Sequence, residues 1–426
     1  MVSFGGGQGA AAGRTGEIGF DRRVPGLTGI AVRGFLLSLI TFGIYRFWYV
    51  TELRRYFWSR TIVDGSPAEY TGRGKELFLG FLVALAILIP IYVAIFVATI
   101  SLPWLAPVGG LVSFAVLFLL GQYALYRGRR YRASRTLWRG IRLGQDGSGF
   151  VYALMAAGWW TLTFLTSGLA FPFMRAALER YRINHTLIGA SRMKSEARGL
   201  SILLPWLLFY AVVLLPIVGS FVAAFIALGY TIPSDLIETD ALGKSVLNPD
   251  YADSVGGPLG VALVAAPSFG LIAALLLIPF YRARETRVFM NAASLGPVRL
   301  ASNLRARQFY WPYIVYFLSI IGFVLVLGII VLLGGLLFRT AGAESGFHIA
   351  IALGAIVLYL GGALLAAVLY VRVITARLWH AVAATTVVEN AGELDAVLAS
   401  SRRQASGLNE GMADALDVGG ALEIGF

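Results

Sequence analysis

Between Glu76 and Arg127 no residue carries a formal charge, and the same holds between Arg198 and Asp235 and between Arg307 and Arg339. These blocks decide the class of fold before any motif is considered. A helix covers the ~30 Å hydrocarbon core of a bilayer with about 20 apolar residues, so the first block holds two spans and each of the others one. They are too long for a soluble core. Of the 426 residues 58% are hydrophobic and only 14% charged, whereas soluble domains carry roughly a quarter charged residues. The chain reads as a multi-pass membrane protein.

In a soluble protein the formal charge of +12 would suggest nucleic acid. Membrane proteins instead gather Lys and Arg in cytoplasmic loops, so no nucleic-acid partner is expected. Segments 46–76, 127–149, 175–199 and 282–307 hold six, seven, six and six basic residues, 25 of the 35 in the chain. All four are expected in the cytoplasm. Residues 230–257, with five carboxylates and one lysine, read as an external loop.

A conflict follows. If 127–149 and 175–199 share one side, the apolar stretch 150–174 cannot cross once, and residues 29–47 raise the same difficulty. Both stretches carry a Thr-x-Gly break, Thr41-Phe42-Gly43 and Thr166-Ser167-Gly168. Each is consistent with a re-entrant or interfacial hairpin, which membrane depth tolerates only under protein cover or beside water. The expected fold class is an all-α polytopic membrane protein with six spanning helices near 77–101, 104–126, 200–229, 258–281, 308–337 and 348–373, plus two re-entrant elements. Eight spans is the alternative. The expected organisation is a flexible tail (1–28), repeat unit 1 (29–76), a helix pair (77–126), a basic segment (127–149) and repeat unit 2 (150–199). A second helix pair (200–281), a basic segment (282–307), a third pair (308–374) and an acidic tail (375–426) follow.

A short arginine-rich phrase recurs. It reads RRYFWSRTIVDG at 54–65, RRYRASRTLWRG at 129–140, RYRINHTLIG at 180–189 and RVFMNAASLG at 287–296, with a decayed fifth copy from Arg377 in TARLWHAVAATTV. Upstream, residues 35–56 align without a gap with 160–181, placing Thr41 on Thr166, Gly43 on Gly168 and Arg55-Tyr56 on Arg180-Tyr181. Each copy reads as a short basic helix with aromatic residues at the membrane interface, a tight turn at glycine and a short strand or hairpin. The expected turn and break positions are Gly43, Gly65, Gly140, Gly168, Gly189 and Gly296, and the expected interfacial anchors are Trp48, Tyr56, Tyr131 and Tyr181. Several copies packing together would form a cytoplasmic collar with a small β-hairpin layer. Each basic residue against an anionic leaflet is worth about 1 kcal/mol. Arg54, Arg55, Arg129, Arg130, Arg180 and Arg287 are the leading candidates for holding anionic lipid or another anion, and setting topology alone is the plainer reading of the same residues.

LLSLITFGIYRFW (36–48), the RRY…T…G phrase and TSGLAFPF (166–173) together resemble the YjgN-like family, bacterial inner-membrane proteins of a domain-of-unknown-function group. The resemblance runs nearly end to end and includes the closing segment ALDVGGALEIGF; Phe47 stands where the family pattern has proline before tryptophan. It implies a bacterial inner membrane and brings no substrate, reaction or catalytic residue.

Other chemistry is not expected. His185, His348 and His380 are scattered and there is no cysteine, so neither a metal site nor a disulfide is predicted. Ser191-x-x-Lys194 lacks the companion motifs of penicillin-binding enzymes. The N-terminal glycines lack the strand and helix of a phosphate loop, and no signal-peptide core is present. No enzyme activity and no cofactor are expected. The six spans contain no Asp or Glu, which argues against an ion-coupled carrier. The expected function is a passive transporter, channel or lipid-handling protein with an arginine-rich cytoplasmic mouth. The alternative is a non-transporting scaffold that binds anionic lipid or partner proteins. The bilayer and anionic lipids are the expected partners, a homo-oligomer is allowed, and both termini are expected in the cytoplasm.

Overall fold

The computed structural model describes residues 13–102, 106–239, 244–340 and 344–397. The chain divides into two compact units, one from 1–157, 178–196 and 289–426 and the other from 158–177 and 197–288.

In chain order the first elements are β1 (Gly16–Phe20), α1 (Leu27–Ile40), α2 (Arg46–Ser59), β2 (Thr61–Val63), β3 (Ser66–Tyr70), α3 (Gly74–Ser101) and α4 (Ala106–Ser134). Then come β4 (Thr136–Trp138), β5 (Ile141–Gln145), α5 (Gly149–Leu165), α6 (Phe171–Asn184), β6 (Thr186–Ile188) and β7 (Ser191–Ser195). The long helix α7 (Gly199–Ala227) precedes the hairpin β8 (Ile237–Thr239) and β9 (Ser245–Leu247) and the helix α8 (Gly256–Asn291). β10 (Ala293–Leu295), β11 (Val298–Ser302), α9 (Ala306–Thr340), α10 (Ile351–Thr385) and β12 (Thr386–Glu389) complete the described chain.

Among the described residues six helices, α3, α4, α7, α8, α9 and α10, are long and apolar enough to span a membrane. No more than 22% of the most apolar stretch of any of them is buried by the chain, so most of their surface is left for lipid. The two shorter apolar helices, α1 and α5, are the elements expected to be re-entrant.

The all-α expectation is overturned. Ten strands form a closed antiparallel barrel in the order β1-β12-β11-β10-β7-β6-β5-β4-β3-β2, entirely within the first unit. Each of the first four arginine-rich phrases ends a helix and opens a hairpin, and the repeated residues build that junction. The hydroxyls of Thr61, Thr136, Thr186 and Thr386, each at the first strand position, donate to the carbonyls of Phe57, Arg132, Arg182 and Val382 four residues back, at 2.7–2.9 Å. Asn184 Oδ1 accepts from the Ser195 amide at 2.7 Å, and Asn291 Oδ1 accepts from Ser302 at 2.6 Å, pinning the second strand of two hairpins to its helix. Asp64-Gly65 and Arg139-Gly140 both have positive φ at the two central turn residues, the geometry that matches the twist of paired strands and that glycine adopts without strain.

The fifth unit is split. The end of α10 leads into β12, which has no hairpin partner of its own among the described residues; β1 takes that place, pairing Gly16 with Val388 and Glu17 with Val387. β1 therefore falls inside the segment expected to be a flexible tail, and β12 inside the expected acidic tail; residues 1–12 and 398–426 lie outside the described residues. Strand pairing bears on the spanning conflict. Gly144 in β5 pairs with Leu187 in β6, so the segments flanking the α5–α6 pair meet in one sheet.

Inside the barrel, side chains follow the pleat. Trp138, Leu295, Val298 and Val388 pack together with Ile18, Val63, Leu143, Ile188 and Met193, and Ala391 and Leu394 of the short turn Ala391–Ala396 fill the same layer. Arg139 fastens that turn by its ion pair with Asp395 at 2.6 Å. Two residues nearer the helices, the inward positions become polar, with Thr136, Gln145, Ser195, Ser302 and Thr386 all buried. Above them a second apolar cluster joins Phe20 and Leu27 to Phe57 and Trp379.

Candidate functional site

The chain reverses at Thr41–Tyr45 between α1 and α2. Thr41 Oγ1 donates to Leu37 O at 2.6 Å and accepts from Tyr45 N at 2.9 Å, while Gly43 N reaches back to Ser38 O at 2.6 Å. The second unit repeats this closure: Thr166 Oγ1 bonds Leu162 O and Ala170 N, and Gly168 N bonds Thr163 O. The Thr-x-Gly break is thus a helix stop whose freed carbonyls are satisfied locally. The tip is apolar and open, with Phe42 98% exposed. Below it α1 and α2 touch closely: a Cβ on Gly34 would run into the Tyr49 ring.

A cleft of about 490 Å³ opens beside this hairpin, lined by Ile30, Arg33, Glu52, Arg55, Tyr56, Ser59, Glu69 and Tyr70. Arg33 donates to Glu52 at 2.8 Å and Tyr45 Oη donates to the same carboxylate at 3.2 Å. The hydrogen bond to Glu52, then its charge, hold the Arg33 guanidinium above its usual range. Burial, and secondarily the Glu52 charge, raise the Tyr45 hydroxyl. Arg55 donates to Gly72 O at 2.7 Å, Tyr56 Oη donates to Pro25 O at 2.9 Å, and Arg60 covers the Tyr56 ring at 3.8 Å. Two guanidiniums and two carboxylates therefore meet in one cleft, next to the exposed apolar residues Leu36, Leu39 and Ile40 of α1.

The six candidate arginines do not gather around a single opening. Arg55 lines the cleft, and Arg54 is buried behind it, donating to Tyr70 Oη at 3.3 Å. Arg129 lines a second, internal cavity with Arg132. Arg130 is half-buried on α4 and Arg180 exposed on α6, while Arg287 is half-buried on α8 in the second unit. Gly43, Gly65, Gly140, Gly168, Gly189 and Gly296 all have positive φ. Trp48 packs on Phe78; the hydroxyls of Tyr56, Tyr131 and Tyr181 donate inward, to Pro25 O, Glu76 and Ser148 O.

Arg33, Glu52 and Glu69 are cleft residues that sequence reasoning did not select. Arg33 reads as a snorkelling residue at a segment end, and its partner lies 19 positions away across a turn. The second unit holds another ionic cluster that the sequence hid: Glu285, buried, accepts two bonds from Arg175 and one from Arg282. Among the described residues no group of three or more His, Asp or Glu side chains is placed to hold a metal ion.

The inner membrane protein YjgN of Salmonella typhimurium is 28% identical to this chain over 132 residues, 31% of the chain and 30% of the relative. The inner membrane protein YjgN of Escherichia coli O157:H7 is 31% identical over 136 residues, 32% of the chain and 31% of the relative. The chain thus aligns with less than a third of each of these curated relatives. No solved structure matches it. Residues 17–415 match the family described as bacterial protein of unknown function, DUF898, a match that takes in every barrel strand except the first residue of β1, and the chain belongs to that family.

Proposed function

We propose that this integral membrane protein handles phospholipid at the rim of its barrel and does not pass an aqueous stream through it. The observation that carries the reading is the cleft beside α1, where two cations and two anions face each other next to exposed apolar helix surface. A cleft with no net charge suits a headgroup bearing both signs better than a purely anionic one. In this reading Arg33 and Arg55 take the phosphate, Glu52 and Glu69 take an amine, and acyl chains run along α1. Charge-assisted bonds of this kind are roughly twice as strong as neutral ones. The apolar layer inside the barrel, closed by Ala391 and Leu394, argues against the barrel as a conduit. In this reading the arginine-rich repeats favour a cytoplasmic placement of the barrel and of the described chain ends.

The test is lipid retention. Protein purified in neutral detergent from vesicles of equal phosphatidylethanolamine and phosphatidylglycerol content is extracted and its lipid measured by mass spectrometry. The native chain should retain phosphatidylethanolamine in excess, and the double substitution Arg55→Gln, Glu69→Gln should lose the excess while remaining monodisperse. Equal retention by both proteins would overturn the reading. Preference for phosphatidylglycerol would overturn the zwitterionic headgroup and return the rim to an anionic-lipid scaffold. A cysteine introduced by Ser191→Cys should be labelled from the cytoplasmic side only.

A further inference from the structure

The chain holds two helical hairpins of one design, and they differ at the positions where lipid would be met. Residues 35–56 of α1–α2 align without a gap with 160–181 of α5–α6, and the same offset carries α3 onto α7. The structure repeats that match: the start of α3 at Gly74 lies against Trp48 of α2, and the start of α7 at Gly199 lies against Phe173 of α6. Both hairpins reverse through the same threonine-closed turn. The shared residues therefore build the hairpin, and the unshared ones are available for something else.

Arg33 and Glu52, which bond each other across the first hairpin at 2.8 Å, fall on Gly158 and Ala177 in the second, so the fold does without that ion pair. A further difference lies at the tip. In the second hairpin Trp206 of α7 donates its indole N–H to Gly168 O at 2.9 Å and stacks on Phe171 with ring centres 4.2 Å apart. Leu214 closes in as well, 3.1 Å from where a Gly168 Cβ would stand. The counterpart of Trp206 on α3 is Phe81, which has no donor; it packs on Phe47, and nothing lies within 4 Å of a Cβ on Gly43. One tip is pinned to its span and the other is open.

The open tip suits hydrocarbon. The amides of Thr41 through Arg46 all donate to acceptors in the turn or in the helix end before it, so no donor is left over for water, which is what membrane depth demands of a backbone. Ile40, Phe42 and Ile44 are exposed around it. Because Phe47 near the start of α2 packs on Phe81, the turn stands at or beyond the level of Phe81, ~10 Å along α3 from Gly74. At that depth a spanning helix is surrounded by acyl chains.

We infer that the two hairpins have separate roles: the tip of the first, residues 39–44, lies unpinned among the acyl chains of one leaflet and yields as a chain passes along α1 to the cleft, whereas the second is a fixed structural copy. Phe81, by lacking the indole donor, keeps the first tip free. The inference rests on the reading that the cleft takes phospholipid.

The chain has no cysteine, so a nitroxide spin label can be placed at Phe42→Cys or at its counterpart Ser167→Cys in the full chain, reconstituted in vesicles of equal phosphatidylethanolamine and phosphatidylglycerol content. The label on the first tip should be the more mobile. It should also be reached by oxygen, which concentrates in hydrocarbon, in preference to a water-soluble nickel chelate. Phe81→Trp should restrain it. Trp206→Phe, which keeps a ring on Phe171 and removes only the donor, should raise the mobile population on the second tip by about twofold to tenfold, the scale of one neutral hydrogen bond. Phe81→Trp should also reduce the phosphatidylethanolamine excess carried by the purified protein, and Trp206→Phe should not. Equal mobility of the two tips, or a first tip reached by the nickel chelate in preference to oxygen, would overturn the inference, as would a restrained first tip that leaves the lipid excess unchanged. If Phe81→Trp does not fold, the contrast between the two native tips and the response to Trp206→Phe carry the test. A native chain that shows the mobility contrast without any phosphatidylethanolamine excess would refute the headgroup reading and not the unpinned tip.

Discussion

Glu285 offers the sharpest test of how the second unit is held together. Its carboxylate side chain is 2% exposed and receives Arg175 Nε at 2.7 Å, Arg175 Nη2 at 3.1 Å and Arg282 Nη1 at 3.0 Å, with Tyr281 Oη at 3.4 Å. Removing one member of a buried ion pair costs ~3–5 kcal/mol, because the other charge stays behind without compensation. The Arg175 and Arg282 side chains are 25% and 48% exposed, so water can partly solvate them and the lower end, about 3 kcal/mol, is expected for Glu285→Ala. Arg175→Ala should cost less, since Arg282 still reaches the carboxylate. The double substitution Glu285→Leu, Arg175→Leu should be less destabilising than the two single leucine changes added together, because the more buried Arg175 charge leaves with its partner and only the half-exposed Arg282 loses its carboxylate. Equilibrium unfolding in mixed micelles with sodium dodecyl sulfate, arranged as a double-mutant cycle, measures the coupling. A coupling within ~0.5 kcal/mol of zero, the scatter expected of independent sites, would refute the argument, as would a cost below about 1 kcal/mol for Glu285→Ala.

Three further outcomes are expected. A Cβ on Gly74 would sit 2.8 Å from the Trp48 backbone, whereas Gly110 has nothing within 4 Å; Gly74→Ala should therefore destabilise by ~1–3 kcal/mol and Gly110→Ala should not, in the same unfolding assay. Because the chain has no native cysteine, the pair Glu17→Cys and Val387→Cys tests barrel closure directly: these positions are register partners and should oxidise to a disulfide, and a chain that stays reduced under mild oxidant would disprove the β1–β12 pairing. Burial raises the Tyr49 hydroxyl to about 12, from about 10 when unfolded. The neutral form is favoured in the folded state, so its contribution is full below pH ~10 and lost as pH rises through about 12. Tyr49→Phe should flatten that alkaline limb and, as the hydroxyl has no partner, leave neutral-pH stability unchanged or higher by ~1 kcal/mol. Identical alkaline profiles would count against it.

The apolar blocks were legible as spans because a bilayer imposes its thickness on any sequence that crosses it. The repeated phrase was legible as a junction because Thr61, Thr136 and Thr186 and the turn glycines each answer a local demand, namely a helix end and a two-residue turn. Closure was not legible. Strands of three to five residues such as Thr186–Ile188 carry almost no period-2 signal, and the pairing of Ser195 with Ala293 joins positions about 100 residues apart with two long helices between them. Gly16–Phe20 looked like tail because its flanks are glycine-rich and its partner lies at the far end of the chain. The charge count singled out four segments whose strands meet in one barrel, but it said nothing about which arginines gather: whether Arg55 and Arg33 share a cleft depends on a helix reversal that sequence spacing does not express. Glu285 escaped notice because α8 continues ten residues beyond the apolar block.

The split fifth unit has a consequence for how the protein is made. Translation delivers β1 first and β12 last among the barrel strands, so a growing chain can build its hairpins one by one but cannot close the ring. Until Thr386–Glu389 leaves the ribosome, β1 and β11 each present an unpaired edge, the kind of surface that invites pairing with another chain. Closure then joins residues whose sequence separation is nearly the whole chain, the slowest class of contact to form. The barrel is thus also a checkpoint on synthesis: a polypeptide halted anywhere before β12 leaves the ring open and its edges available to protease or to a neighbour, and only a chain translated through β12 can hide them.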